Sequence, residues 1–284
     1  MRLQVTLAEP DGMWSQPEGN ATHGFYSSSE WKRANKKAQW LTKNVPGDGM
    51  CGWVAIMLII GWLTLNDMVF SSKKEPCGWT PDGWMKVLDF LREVSIFIRT
   101  TLRGPRTNLT DHLVSAMESA LNETLGDGIT HAQSSYDMKK FRALQLADLL
   151  CRPNQEPIEQ PATNQQVERD LWFSAEYGNF VSAMLERPIV VMSEVHDDRN
   201  PYNPKVSFAF YTPRPVTSMA RGVPGLKYQY GTWTAFSFQG LRKVFRESGI
   251  GNPVHLKLTQ VGSHFQPFYK KRPAGAQLTL LCPL

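Results

Sequence analysis

At 284 residues, with 42% hydrophobic and 20% charged side chains, the chain is long enough for one large domain or two small ones and can bury a substantial core, which excludes wholesale disorder. The net charge of +5 is spread out, its densest tracts being "WKRANKKAQW" (31–40) and "YKKRP" (269–273), so it reads as a solvated surface and not as a nucleic-acid-binding one. The four cysteines, Cys51, Cys77, Cys151 and Cys282, form no CxxC pair; neither a zinc ribbon nor a disulfide framework is expected, and the thiols suit a reducing, cytoplasmic compartment.

The first 30 residues are rich in Ser, Gly and Pro and read as loosely ordered. They lack the apolar stretch of a signal peptide, so the sequons at Asn20, Asn108 and Asn122 are expected to stay unused. "SSEWKRANKKAQWL" offers Ser29 as an N-cap and then a helical pattern. A polar turn at Pro46-Gly47-Asp48-Gly49 follows, then a helix from about Cys51, apolar nearly all round and therefore buried on all sides. The run Val54 to Leu65 is too short to span a bilayer and is broken by Gly61.

"PDGWMKVLDFLREVSIFIRTTL" predicts a second helix with Asp82 as its cap. "NLTDHLVSAMESALNETLG" predicts a third, closed by Gly126, and "DMKKFRALQLADLLCRP" a fourth, stopped by Pro153. "DLWFSAEYGNFVSAMLERP" predicts a fifth, interrupted near Gly178. The pattern then turns to strands. "PIVVMSE" and "VSFAFYT" are β-branched or alternating runs, and "GLKYQYGTWTAFSF" reads as one or two strands around Gly231, its end turning helical. "PVHLKLTQVGSHFQPFYKK" reads as two strands joined at Gly262-Ser263, and "GAQLTLLCPL" as a last docked strand. Helices first and strands later predict an α+β (mixed α/β) fold: one domain over 31–284, a small central sheet packed by helices, with a helical insertion at about 81–153.

The chemistry concentrates in "NVPGDGMCGWVAI". Cys51 is either a small core residue at a helix start or a nucleophile. As a nucleophile it is well placed, because N–H groups of a first helical turn lack intrahelical partners and favour a thiolate. The glycines let the preceding loop fold tightly, so that the amides of Gly49 and Met50 could receive an oxyanion. Cys77, Cys151 and Cys282 have no such loop and read as structural.

A cysteine nucleophile needs a base, usually His. Of the six histidines, His23 falls in the loose N-terminal segment, His112 and His131 read as exposed, His196 as loop, and His255 as an ordinary strand residue. His264, after a turn and opening the late strand "HFQPF", is the candidate base.

"GDGMCGWVAI" resembles the catalytic-cysteine loop of the OTU (ovarian tumour) cysteine proteases, whose pattern is Asp-Gly-x-Cys followed by an aromatic and a small residue. "AEYGNFVSAMLERPIVVMSE" is similar to that family's passage from a helix into a core strand through Arg-Pro-Ile. "PVHLKLTQVGSHFQPF" resembles its closing strand pair with the catalytic histidine before an aromatic. The three occur in the family's order over about Gln39 to Tyr269, although Leu63 to Gln166 matches nothing recognisable.

The resemblance implies a papain-like OTU fold and hydrolysis of isopeptide or peptide bonds after a Gly-Gly tail, usually that of ubiquitin, without metal or cofactor. It makes Cys51 the nucleophile and His264 the base and later acid. Asp48 falls on the loop aspartate, a third catalytic group in some members; in others this loop's backbone forms the oxyanion hole. Many members carry Asp or Asn two residues after the histidine; here Gln266 stands there, an amide able to accept from the imidazole but not to offset its charge. Trp53 and Phe265 are candidates to wall a narrow Gly-Gly channel. Glu194, Asp197 and Asp198 could supply an acidic groove for ubiquitin's basic tail. The divergent middle suggests a pathogen protein, a bacterial effector or a viral protein, in host cytosol. A polyprotein-processing protease and an inactive OTU-fold ubiquitin-binding module are the alternatives.

Overall fold

The computed structural model describes residues 26–27, 40–47, 49–72, 75–118, 135–152, 172–195, 205–215, 226–229, 232–235, 253–258 and 264–270. Strands β1 (Tyr26–Ser27) and β2 (Trp40–Thr42) precede helix α1 (Cys51–Ile60). A 3₁₀ turn (Leu65–Asp67) leads into a hairpin of β3 (Met68–Ser72) and β4 (Glu75–Trp79). Helices α2 (Pro81–Arg103), α3 (Asn108–Val114), α4 (Tyr136–Leu149) and α5 (Ala175–Met184) follow. Strands β5 (Ile189–Val195), β6 (Lys205–Tyr211), β7 (Leu226–Gln229), β8 (Thr232–Ala235), β9 (Val254–Leu258) and β10 (Phe265–Lys270) complete the described chain. The architecture is α+β, and among the described residues no helix is long and apolar enough to cross a membrane.

The main sheet is ordered β2-β10-β9-β5-β6-β8-β7, with β1 also paired to β6. Only the β5–β9 pair is parallel; the other described pairs are antiparallel. β5 takes a central place because Ile189, Val190, Val191 and Met192 are all buried, so both of its faces are covered. Ile189 and Val191, opposite Val254 and Leu256 of β9, share a core with the helices. Val190 and Met192, opposite Phe210 and Phe208, are buried but lie outside that cluster, on the sheet's other face.

α1 is apolar around its whole circumference and is buried from Cys51 to Met57; Gly61, left-handed at φ 81°, ends it. α2 buries Trp84, Val87, Leu91, Val94 and Ile98 at helical spacing. These side chains, with others of α3, α4 and α5, join α1 in one hydrophobic core.

Several local expectations need correction. Trp40 and Leu41, read as the end of a helix, belong to a strand that pairs with β10; Ser29 lies outside the described residues. α2 is capped by Thr80, whose hydroxyl accepts the Gly83 N–H at 3.0 Å, with Pro81 in the first turn; Asp82 lies inside the helix. α3 stops at Val114 with Ser115 as its C-cap, and Gly126 lies outside the described residues. α5 runs unbroken through Gly178: the Tyr211 ring lies so close there that a Cβ would have no room, so the glycine serves packing and not a break. The hairpin β3–β4 was not anticipated. The segments around Gly240 and from 271 onward lie outside the described residues.

Candidate active site

Cys51 is the first residue of α1 and only 7% exposed. Met50 holds the N-cap position with φ −90° and ψ 1°, and its side chain, fully buried, makes no capping bond. No acidic residue lies in the first turn. The positive end of the helix dipole therefore faces Cys51, and the first turn itself carries no carboxylate to oppose a thiolate.

The loop before the thiol is held by shape. Gly49 has φ +92°, a backbone conformation that side chains disfavour, and the Trp172 indole lies directly against it, leaving no room for a Cβ. On the other side of the thiol, a Cβ on Gly52 would fall 2.5 Å from Phe173 Cβ and 3.2 Å from the Phe265 ring. Trp172 and Phe173, consecutive residues just before α5, thus brace the loop and the helix start on either side of Cys51. Both stand in the quoted run "DLWFSAEYG", yet neither was singled out in the sequence; two adjacent aromatics ahead of a helix were the available signal.

β10 closes the site. The backbone N–H of Phe265 donates to Cys51 Sγ at 3.3 Å, across 214 residues of sequence. The half-buried His264, immediately before Phe265, is thereby carried to the edge of the cysteine loop. The same N–H adds a donor that favours the thiolate. Gln266 donates from Nε2 to Asn44 Oδ1 at 2.6 Å, so the histidine strand is also tied to the chain leading into the cysteine loop. Asp48 lies outside the described residues, as do His23, His131, His196, Cys282, Asp197, Asp198 and the side chain of Glu194.

The two aromatic candidates separate. Trp53 is fully buried, its ring edge-on to Phe173 at 5.2 Å, to Tyr177 at 5.0 Å and to Phe90 at 6.4 Å. It is a core residue and cannot wall a channel; two positions along the helix from Cys51 turns it inward. Phe265 is half-buried, packs on Phe173 with ring centroids 5.7 Å apart, and touches the start of α1 beside the thiol.

The other histidines and cysteines do not join this site. His112, expected to be exposed, is buried, with Nε2 2.8 Å from Thr212 O, and burial lowers its pKa against the opposing effect of that bond. His255 is buried in β9; desolvation, then the Arg187 charge, hold its pKa at about 3. Cys77 sits in the hairpin with Sγ 3.6 Å from Val69 O, and Cys151 is exposed after α4. Among the described residues no group of three or more metal-binding side chains converges.

The arrangement supplies a thiol at a helix N-terminus, a direct backbone donor to its sulfur, a constrained glycine loop and an adjacent histidine. Those are the parts that acyl transfer through a cysteine requires. No protein-family model and no curated protein sequence matches the chain.

Proposed function

We propose that the protein is a thiol protease of the OTU type, hydrolysing isopeptide or peptide bonds after the C-terminal Gly-Gly of ubiquitin. The observation that carries this reading is the bond from the Phe265 N–H to Cys51 Sγ. It brings "HFQPF" against "GMCGW", the described parts of the two stretches whose joint occurrence motivates the resemblance.

In this reading the Cys51 thiolate attacks the carbonyl carbon of the terminal glycine. The oxyanion is received by amides of the Gly49–Met50 loop and the helix start. His264 gives its proton to the departing amine as the C–N bond breaks. It then takes a proton from water, whose hydroxide attacks the thioester, and protonates the leaving Cys51 sulfur. In this reading Phe265 beside the thiol is the wall of a narrow channel that admits only a glycine tail. The place of action is the cytosol, that of a host cell for a pathogen protein.

The test is labelling with ubiquitin bearing a C-terminal electrophile, applied to wild type, Cys51→Ala and His264→Ala. A covalent adduct in wild type, absent from Cys51→Ala and strongly slowed in His264→Ala, is the expected result. Folded wild type that forms no adduct removes ubiquitin as substrate. It leaves related Gly-Gly tails, a polyprotein junction or binding alone, which the same probe chemistry on those sequences separates.

A further inference from the structure

The register of the sheet at the site says more about its third group. β2 pairs with β10 so that Leu41 faces Tyr269 and Thr42 faces Phe268. Carrying that register two residues onward sets Asn44 opposite Gln266, where the 2.6 Å bond between their side chains is found. Residues directly opposite in an antiparallel pair share a face and touch. His264 stands two residues before Gln266, and side chains two apart along an extended chain also share a face. Asn44, Gln266 and His264 are thus linked by the sheet itself. On the far side of Gln266, β9 places Lys257 directly opposite.

An imidazole that must act first as base and then as acid needs an acceptor for one ring N–H, which fixes its tautomer. A carboxylate serves this purpose in either orientation. An amide does not: its oxygen accepts, but its NH₂ group, turned inward, would hold the ring in the wrong tautomer. Gln266 therefore needs a second group that decides which way the amide faces. Asn44 Oδ1 takes the Gln266 Nε2–H, which leaves Oε1 as the atom free to accept.

We infer that Asn44 is a positioning residue for His264, acting through Gln266: it orients the Gln266 amide so that its oxygen, in place of a carboxylate, accepts the imidazole N–H. This rests on the protease reading for its catalytic consequence, but its structural content can be measured without any substrate.

The experiment compares wild type with Asn44→Ala, Asn44→Asp, Gln266→Ala, Lys257→Met and the double variant Asn44→Ala/Gln266→Ala. Two readouts are used: steady-state cleavage of a fluorogenic ubiquitin C-terminal conjugate, and the ¹⁵N shifts of the His264 ring nitrogens, which report the tautomer. In Asn44→Ala, kcat falls about tenfold, the rate equivalent of one neutral hydrogen bond. KM stays unchanged, and the ring nitrogens show mixed tautomers. Asn44→Asp, which can only accept, keeps the amide orientation and stays within about threefold of wild type. The double variant is no slower than Gln266→Ala, because the two act in series. Lys257→Met leaves tautomer and kcat as they are.

A single wild-type tautomer in Asn44→Ala would overturn the inference. So would an Asn44→Asp variant as impaired as Asn44→Ala, or losses that multiply in the double variant. If wild type does not cleave the conjugate, ubiquitin fails as the substrate on that readout alone; the ring-nitrogen shifts still decide whether Asn44 and Gln266 set the His264 tautomer.

Discussion

Two histidines stand nine positions apart on neighbouring strands, and the sheet gives them opposite fates. His255 lies within β9, across from Val190, on the face where Met192, Phe208 and Phe210 are also buried. Burial holds it neutral, with a pKa of about 3. His264 stands just ahead of β10, half-buried, beside a backbone N–H that reaches the Cys51 thiol. Nothing in the residue type separates them. A histidine enclosed in the sheet cannot exchange protons near neutrality, whereas the place of His264 is set by the contact of its neighbour Phe265 with the thiol.

The largest effect that tests this contrast is kinetic. His264→Ala is expected to lower kcat/KM for a ubiquitin conjugate by about 10²- to 10⁴-fold, the usual worth of a general acid–base group. His255→Gln, with the fold intact, is expected to leave it within about threefold. Equal losses in the two variants would erase the distinction.

The same contrast recurs among the aromatics around Cys51. Trp53 is enclosed on all sides, so Trp53→Ala should destabilise the protein by roughly 3–5 kcal/mol in urea unfolding. Trp172 is half-buried against Gly49, whose positive φ and missing Cβ let the indole come this close. Trp172→Ala should cost less than half as much stability, yet, on the protease reading, lower kcat about tenfold by loosening the Gly49–Met50 loop, a displacement to which catalysis is sensitive. A stability loss at Trp172 matching that at Trp53, with kcat unchanged, would make the indole mere packing.

The legible parts of the sequence were those in which a local pattern and the tertiary environment agree. α1 begins at Cys51, where the glycine turn ends, and β5 and β6 follow their β-branched and alternating runs. The strand pair before and after His264 read correctly, β9 because VHLKL alternates and β10 because an aromatic run follows the Gly262-Ser263 turn signal in the sequence. Less legible were the places where a distant segment decides. Trp40 and Leu41 sit in a helix-like pattern but pair with β10, because the sheet edge supplies hydrogen bonds that local propensity does not foresee. Gly178 looks like a helix breaker, and only the Tyr211 ring explains it. His112, with polar neighbours in sequence, is buried because Thr212 offers its carbonyl from across 100 residues. At the site, Cys51 and His264 were readable by residue type, whereas Trp172, Phe173 and Asn44 matter through contacts that no local spacing records.

The smallest expected effect sharpens the histidine comparison from the stability side. An unfolded histidine titrates near 6.5, while folded His255 does so only at about 3. Between those values the unfolded chain binds a proton that the folded one refuses, so acid favours unfolding. Stability is constant above the unfolded pKa and falls as pH drops through and below it, by up to about 1.4 kcal/mol per pH unit for this one group. Burial of His112 lowers its pKa too and contributes with the same sign. Urea midpoints at pH 7.5, 6.0 and 5.0 should therefore decline in wild type. They should decline less steeply in His255→Gln, by the equivalent of one proton. If His255→Gln kept the full acid dependence, His255 would take up a proton in the folded protein as readily as in the unfolded chain. Enclosure in the sheet would then not hold it neutral, and the contrast drawn from its burial would fall.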